Sequence, residues 1–135
     1  MSRVDGAKQR QAVATAAAPA AIGPYSQAMR VGSWLFCSGQ VGIDPESGSL
    51  VEGGFAAEAR RVFENLGAVL QEAGAGFDQV VKVTAYLTDL GNFAELNDIY
   101  AGYFTPPYPA RAAVGVASLP KGASVEIELI AVFGD

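Results

Sequence analysis

The chain contains no histidine and a single cysteine among its 135 residues. Without histidine there is no Ser-His-Asp triad, no Cys-His pair and no imidazole general base. One cysteine makes neither a structural zinc site nor an intrachain disulfide. Charge is also scarce, at 17% of residues, against about 25% in an average soluble domain. No apolar run approaches the ~20 residues of a membrane span. The N-terminal stretch lacks the apolar centre of a signal peptide, although its basic, Ala-rich character also fits a transit peptide. These absences point to a cytoplasmic protein with a reduced, solitary Cys37. An enzyme built from this inventory works with carboxylates, guanidinium, hydroxyls, backbone groups and water.

Hydrophobic residues make up 50% of the chain. At this length one domain is expected, large enough for a real core. Too few charges to cover its surface suggests that other subunits cover part of it; an Ala- and Gly-rich composition is the simpler explanation. The formal net charge is −5, which argues against nonspecific nucleic-acid binding, since that depends on Lys and Arg at phosphates. The positive bias is confined to the first eleven residues, with Arg3, Lys8 and Arg10 against Asp5. Residues 1–16 read as a disordered tail, and residues 17–135 as a single domain.

Gly23-Pro24-Tyr25 marks the turn out of that tail. Gln27–Val31 and Trp34–Ser38 read as two short strands, the second continuously apolar as in a strand covered on both faces. Phe55–Ala73 is the clearest helix, with Phe55, Ala59, Val62, Phe63, Leu66, Val69, Leu70 and Ala73 on one stripe and Gly74 as its stop. Gly67 either weakens it or admits a close neighbour. Val80–Leu87 alternates as a strand. Asn92–Phe104 is a second helix, with Asn92 and Glu95 spaced as a capping box and Pro106-Pro107 forbidding continuation. Ala112–Ser118 and Ser124–Phe133 complete the set as a hairpin turning near Lys121, which puts Arg111 opposite about Ala131 to Phe133. The order implies an α+β fold with a mixed sheet and both helices on one face. The last strand is apolar on both sides, so the helix-free face is expected to pack against another subunit.

Glu126 and Glu128 share a strand face, their attachment points about 7 Å apart. Carboxylates on a partly apolar face need a partner. Arg111 is a basic candidate, and a neighbouring subunit is one way to bring it there; an ordinary salt bridge or an exposed Glu pair is the plainer reading. Ser38-Gly39 presents a hydroxyl and bare backbone N–H groups, or is simply a bend. With no base at hand, Ser38 is not a conventional nucleophile. Cys37, inside an apolar strand, reads as inert packing. Tyr25 is a turn anchor or a pocket wall.

Five segments, taken together, resemble the RidA/YjgF family: Gly23-Pro24-Tyr25-Ser26-Gln27-Ala28, Ser38-Gly39-Gln40, Pro109-Ala110-Arg111-Ala112-Ala113-Val114, Leu119-Pro120-Lys121-Gly122 and Val125-Glu126-Ile127-Glu128. The resemblance runs from about Ala17 to Phe133. It implies a chorismate-mutase-like single domain, a mixed sheet of about six strands with two helices on one face. It also implies a homotrimer with sites between subunits. The implied activity is cofactor-free hydrolysis of reactive 2-imino or enamine acids, such as 2-aminoacrylate or 2-iminobutanoate, to 2-keto acids and ammonia. By motif, Arg111 would bind the substrate carboxylate and Glu126 would place and polarise the water. Tyr25, Ser38 and the Gly39 N–H would line the pocket, with Asn97 near the cleft. Ala113, also implied at the substrate, stands where many members carry Cys, which puts thiol-dependent chemistry in doubt and leaves water positioning intact. Other readings are a pathway-specific aminomuconate-type or enamine deaminase, and a non-catalytic trimer that binds 2-keto acids. A ribonuclease role attached to family members sits badly with the acidic charge and the missing histidine.

Overall fold

A computed structural model describes residues 9–134. The first eight residues of the expected tail lie outside the described residues. A six-stranded sheet is built from β1 (Arg10–Val13), β2 (Ala28–Val31), β3 (Trp34–Gln40), β4 (Val80–Leu87), β5 (Ala110–Gly115) and β6 (Val125–Val132), in the order β1-β2-β3-β6-β4-β5. Helix α1 spans Phe55–Glu72 and α2 spans Phe93–Tyr100. All neighbours are antiparallel except β4 and β5. No helix among the described residues is long and apolar enough to cross a membrane.

The strand alternation sorts the sheet into two faces. Leu35, Val83, Ala85, Leu87, Val125, Ile127, Leu129 and Ala131 are almost fully buried, and they meet Ala59, Val62, Phe63, Leu66, Val69 and Leu70 of α1 in one core. The stripe expected from the sequence is therefore the one α1 buries. Gly67 serves close approach: a Cβ there would stand 3.1 Å from the Phe77 ring. Behind it Phe63, Phe77, Tyr103 and Phe104 pack ring against ring, Phe63 and Tyr103 at 4.6 Å.

Expectations are corrected at three places in the chain. Arg10–Val13, placed in the tail, pairs with Val31 to Ala28 as an edge strand. It is held by Gln27, 4% exposed: the Thr15 N–H donates to Gln27 Oε1 at 2.6 Å, and Gln27 Nε2 donates to the carbonyls of Thr15 at 3.1 Å and Pro19 at 2.7 Å. A buried amide must find such partners, so it fixes the incoming chain. Second, α2 stops at Tyr100. Its end tightens into three-residue turns, Gly102 N–H to Ile99 carbonyl and Tyr103 N–H to Tyr100 carbonyl. The capping box is also absent: Asn92 ends a 3₁₀ turn with near-helical backbone, and Asp89 instead accepts from the Gly91 N–H at 2.8 Å.

Third, β5 and β6 form no hairpin. Helix α2 carries the chain across so that β5 lies parallel beside β4, with Val83 opposite Arg111. A parallel pair needs such a crossover. The connection from Gly115 to Val125 then returns β6 to the sheet centre, between β3 and β4. A strand apolar on both sides belongs in the middle, which the apolar run of β6 registers better than its neighbour in sequence does.

Candidate active site

The register fixes which face each polar residue takes. On β4, Val83 and Leu87 point into the core, so Thr84 and Tyr86 point away from the helices. Glu128 pairs with Thr84 and Glu126 with Tyr86, which puts both carboxylates on the helix-free face. Arg111 pairs with Val83 and shares the opposite face. The two residues expected to do chemistry together are therefore held on opposite sides of the sheet, with β4 between their strands.

Tyr25, Ser38, Gly39 and Glu126 converge on one open cleft of about 550 Å³, together with Ile22, Lys121 and Glu128. A β-bulge shapes it. Cys37 pairs with Leu129 and Gln40 with Ile127, so β3 carries one extra residue at Ser38-Gly39. Bulges re-aim side chains in this way. The Ser38 hydroxyl donates to the Ser26 carbonyl at 2.6 Å, tying β3 to the turn that carries Tyr25. Gly39 leaves room for Glu126: a Cβ there would push the Glu126 carboxylate aside. Across the cleft the Tyr86 hydroxyl donates to Glu128 at 2.9 Å. Burial first, and then the charge of Glu128, hold the Glu126 carboxyl above the usual carboxylate range. Cys37 faces the core, and burial pushes its thiol up to about 12, so it is a packing residue.

Arg111 and Asn97 line a second cleft of about 480 Å³ with Tyr100, Ala101, Tyr108 and Pro109. The guanidinium carbon stands 5.2 Å from the Phe93 ring centroid and 4.8 Å from that of Tyr100. Among the described residues Arg111 forms no ion pair. Ala113 lies two residues along the same face of β5, packed against the core, and does not line this cleft. Lys121 stood in the sequence as a turn residue and part of the Leu119–Gly122 motif, with no role at the site. It lines the carboxylate cleft with a left-handed backbone, φ 63°, a conformation uncommon outside glycine. Tyr86 and Tyr108 gave no signal beyond strand alternation and a Pro-rich loop.

Fold and clefts define a class: a small α+β protein with a carboxylate-lined cleft and an arginine-lined cleft on opposite faces of one sheet. The family described as Endoribonuclease L-PSP matches residues 15–133, and the chain belongs to that family, also called YjgF/RidA. It is 54% identical over 125 residues to the Bos taurus protein named 2-iminobutanoate/2-iminopropanoate deaminase, covering 93% of this chain and 91% of that one. The crystal structure of RidA from Psychrobacter is 51% identical with a TM-score of 0.88, covering 91% of this chain and 99% of that one. The E. coli TdcF structure with bound serine is 39% identical with a TM-score of 0.86, covering 92% and 99%.

Proposed function

We propose that this protein hydrolyses small 2-imino acids, and the enamines that tautomerise to them, to 2-keto acids and ammonia without a cofactor, as a 2-iminobutanoate/2-iminopropanoate deaminase. Relatives bearing that name across nearly the whole chain support it. The structural observation that carries it is a guanidinium without a carboxylate partner among the described residues, matched by a desolvated carboxyl in a separate cleft.

Arg111 takes the substrate carboxylate through its N–H fork. Water bound at Glu126 adds to the imine carbon, which is already electrophilic when the nitrogen is protonated. The C–O bond forms as the C=N π pair moves to nitrogen, and Glu126 accepts the proton of the water. The carbinolamine nitrogen takes the proton from Glu126, the O–H pair forms C=O as the C–N bond breaks and ammonia leaves, and the hydroxyl proton passes through the Glu126 carboxylate to the departing ammonia as ammonium. One imine and one water give one keto acid and one ammonia. A carboxyl held above its ordinary range suits this exchange, since it both accepts and releases the proton nearer neutrality. Orientation supplies the remaining acceleration. Tyr25, Ser38 and the Gly39 N–H line the substrate side, and Asn97 lies beside Arg111.

Because Arg111 and Glu126 face opposite ways in one chain, the reading requires two chains. The helix-free face carries an apolar patch fit for that contact: Trp34 and Phe36 stack at 6.2 Å yet are 49% and 45% exposed, beside Ile130 and Val132. We infer a chorismate-mutase-like homotrimer with each site shared between neighbours, acting in the cytoplasm on soluble carboxylates, not on nucleic acid. The serine held by TdcF favours a small amino-acid-like ligand, and a trimer that binds 2-keto acids without turnover is the second reading. The test is to generate 2-aminoacrylate or 2-iminobutanoate with a dehydratase and follow keto-acid appearance. The expected result is acceleration above the buffer rate that Arg111→Ala abolishes. Tight keto-acid binding without acceleration would select the second reading.

A further inference from the structure

Arg111 is held by an unusual set of neighbours. A guanidinium placed to receive an anion is commonly fixed by a protein carboxylate, but a bidentate carboxylate consumes the N–H groups the ligand needs. Here the neighbours are two aromatic rings. Phe93 and Tyr100 both come from α2 and are seven residues apart, two turns of helix, so they present to the same side. The Arg111 guanidinium carbon lies 5.2 Å and 4.8 Å from their centroids, inside the ~6 Å range of cation–π attraction.

The two rings differ in anchorage. Tyr100 is 6% exposed and packs on Phe63 at 6.0 Å and on Phe104 at 4.4 Å. Its ring is therefore locked to the core formed with α1. Phe93 is 38% exposed and forms the outer boundary. The Tyr100 hydroxyl is buried and has no hydrogen-bond partner among the described residues, so the ring, and no hydrogen-bond network, accounts for its position here. Rings attract the guanidinium through its π-face and leave the donors in its plane available.

We propose that Phe93 and Tyr100 are positioning residues whose rings hold the Arg111 guanidinium in place of a protein carboxylate, leaving its N–H fork set for the carboxylate of the ligand. The proposal rests on the reading that Arg111 binds that carboxylate. It predicts that the rings act on binding more than on the chemical step, because they never reach the imine carbon.

The experiment compares Phe93→Leu, Tyr100→Leu and Tyr100→Phe, measuring KM and kcat for a dehydratase-generated imine and, by calorimetry, the Kd of pyruvate, which requires no turnover. Each Leu variant is expected to raise KM and the pyruvate Kd about three- to tenfold, with kcat moved far less. Tyr100→Phe restores the ring and is expected to rescue most of the loss. Unchanged KM and Kd in folded Phe93→Leu and Tyr100→Leu would overturn the proposal. So would Tyr100→Phe losing as much as Tyr100→Leu, since that assigns the effect to the hydroxyl. If Tyr100→Leu fails to fold, the exposed Phe93 decides alone. A wild-type protein that binds pyruvate more tightly than Phe93→Leu but turns over no imine would sink the deaminase reading and uphold the ring clamp. Turnover lost in Arg111→Ala but untouched in Phe93→Leu would do the reverse. No pyruvate binding by the wild type would overturn the clamp as a carboxylate receptor.

Discussion

The cleft around Glu126 and the cleft around Arg111 are built on opposite principles. The first gathers like charges: Glu126 and Glu128 stand two residues apart, and burial and repulsion together make Glu126 reluctant to ionise. The second isolates a cation between rings, with no anion of its own among the described residues to quench it. Were both on one face, Arg111 would pair with Glu126, lower its proton affinity and occupy its own fork. The sheet prevents this through strand alternation. Each half stays unsatisfied in its own chain, a state that favours ligand and partner over internal collapse.

The sharpest way to break the comparison is to remove one half at a time. Glu126→Gln is expected to lower kcat about 10²–10⁴-fold, the usual contribution of a positioned acid–base group, with pyruvate affinity largely retained. Arg111→Ala is expected to weaken pyruvate binding and kcat/KM by about 30-fold or more, as for truncation of a buried charge pair. Steady-state kinetics and calorimetry on both variants check the split; matched losses in every parameter would erase the distinction between the halves. Gly39→Ala comes next. A methyl group there displaces the Glu126 carboxylate, so kcat should fall while pyruvate affinity holds.

Smaller effects concern protonation. With Glu126 acting as a base, activity falls as acid protonates it, and burial and the Glu128 charge both push that limb upward. Glu128→Gln removes the repelling charge and should move the limb of the pH–rate profile toward lower pH, incompletely, because burial is the larger cause. The sign for stability follows from the same shift. A carboxyl that binds its proton more tightly when folded makes stability fall as pH rises from the ordinary range through the raised one. Glu126→Gln should therefore raise the melting temperature at pH 7.5 more than at pH 4. The smallest effect is at Cys37, where a thiol held near 12 by burial should resist alkylation at pH 8 until the protein unfolds.

Periodicity was enough to locate most elements. The α1 stripe and the alternation of Val80–Leu87 are strong because burial on one face writes itself into every second or every third and fourth residue. Strand partnership was less visible. Nothing local distinguishes a Pro120-Lys121-Gly122 hairpin turn from a longer return into the sheet centre, since pairing is decided by long-range packing. The tail reading failed over Arg10–Val13 because those residues have weak patterning of their own and are secured by the Gln27 amide, twelve residues after Thr15. For the site, the motifs named Tyr25, Ser38, Gly39, Glu126, Arg111 and Asn97 as members of one site, whereas the structure gathers the first four in one cleft and the last two in another. Helical spacing puts Phe93 and Tyr100 on one side of α2, but that they flank Arg111, and that Lys121 and Tyr86 reach the carboxylates, depends on three-dimensional approach.

The central claim is that a working site takes its carboxyl from one chain and its guanidinium from another. Mixing subunits tests it directly: Arg111→Ala and Glu126→Gln chains, each nearly inactive alone, are co-refolded in equal amounts and assayed for imine hydrolysis. If neighbours share sites around a closed ring, random mixing pairs an intact Glu126 with an intact Arg111 in about a quarter of the interfaces, and activity should recover to about that fraction of wild type. Recovery no greater than the sum of the two variants, in oligomers shown to be mixed by mass, would contradict it.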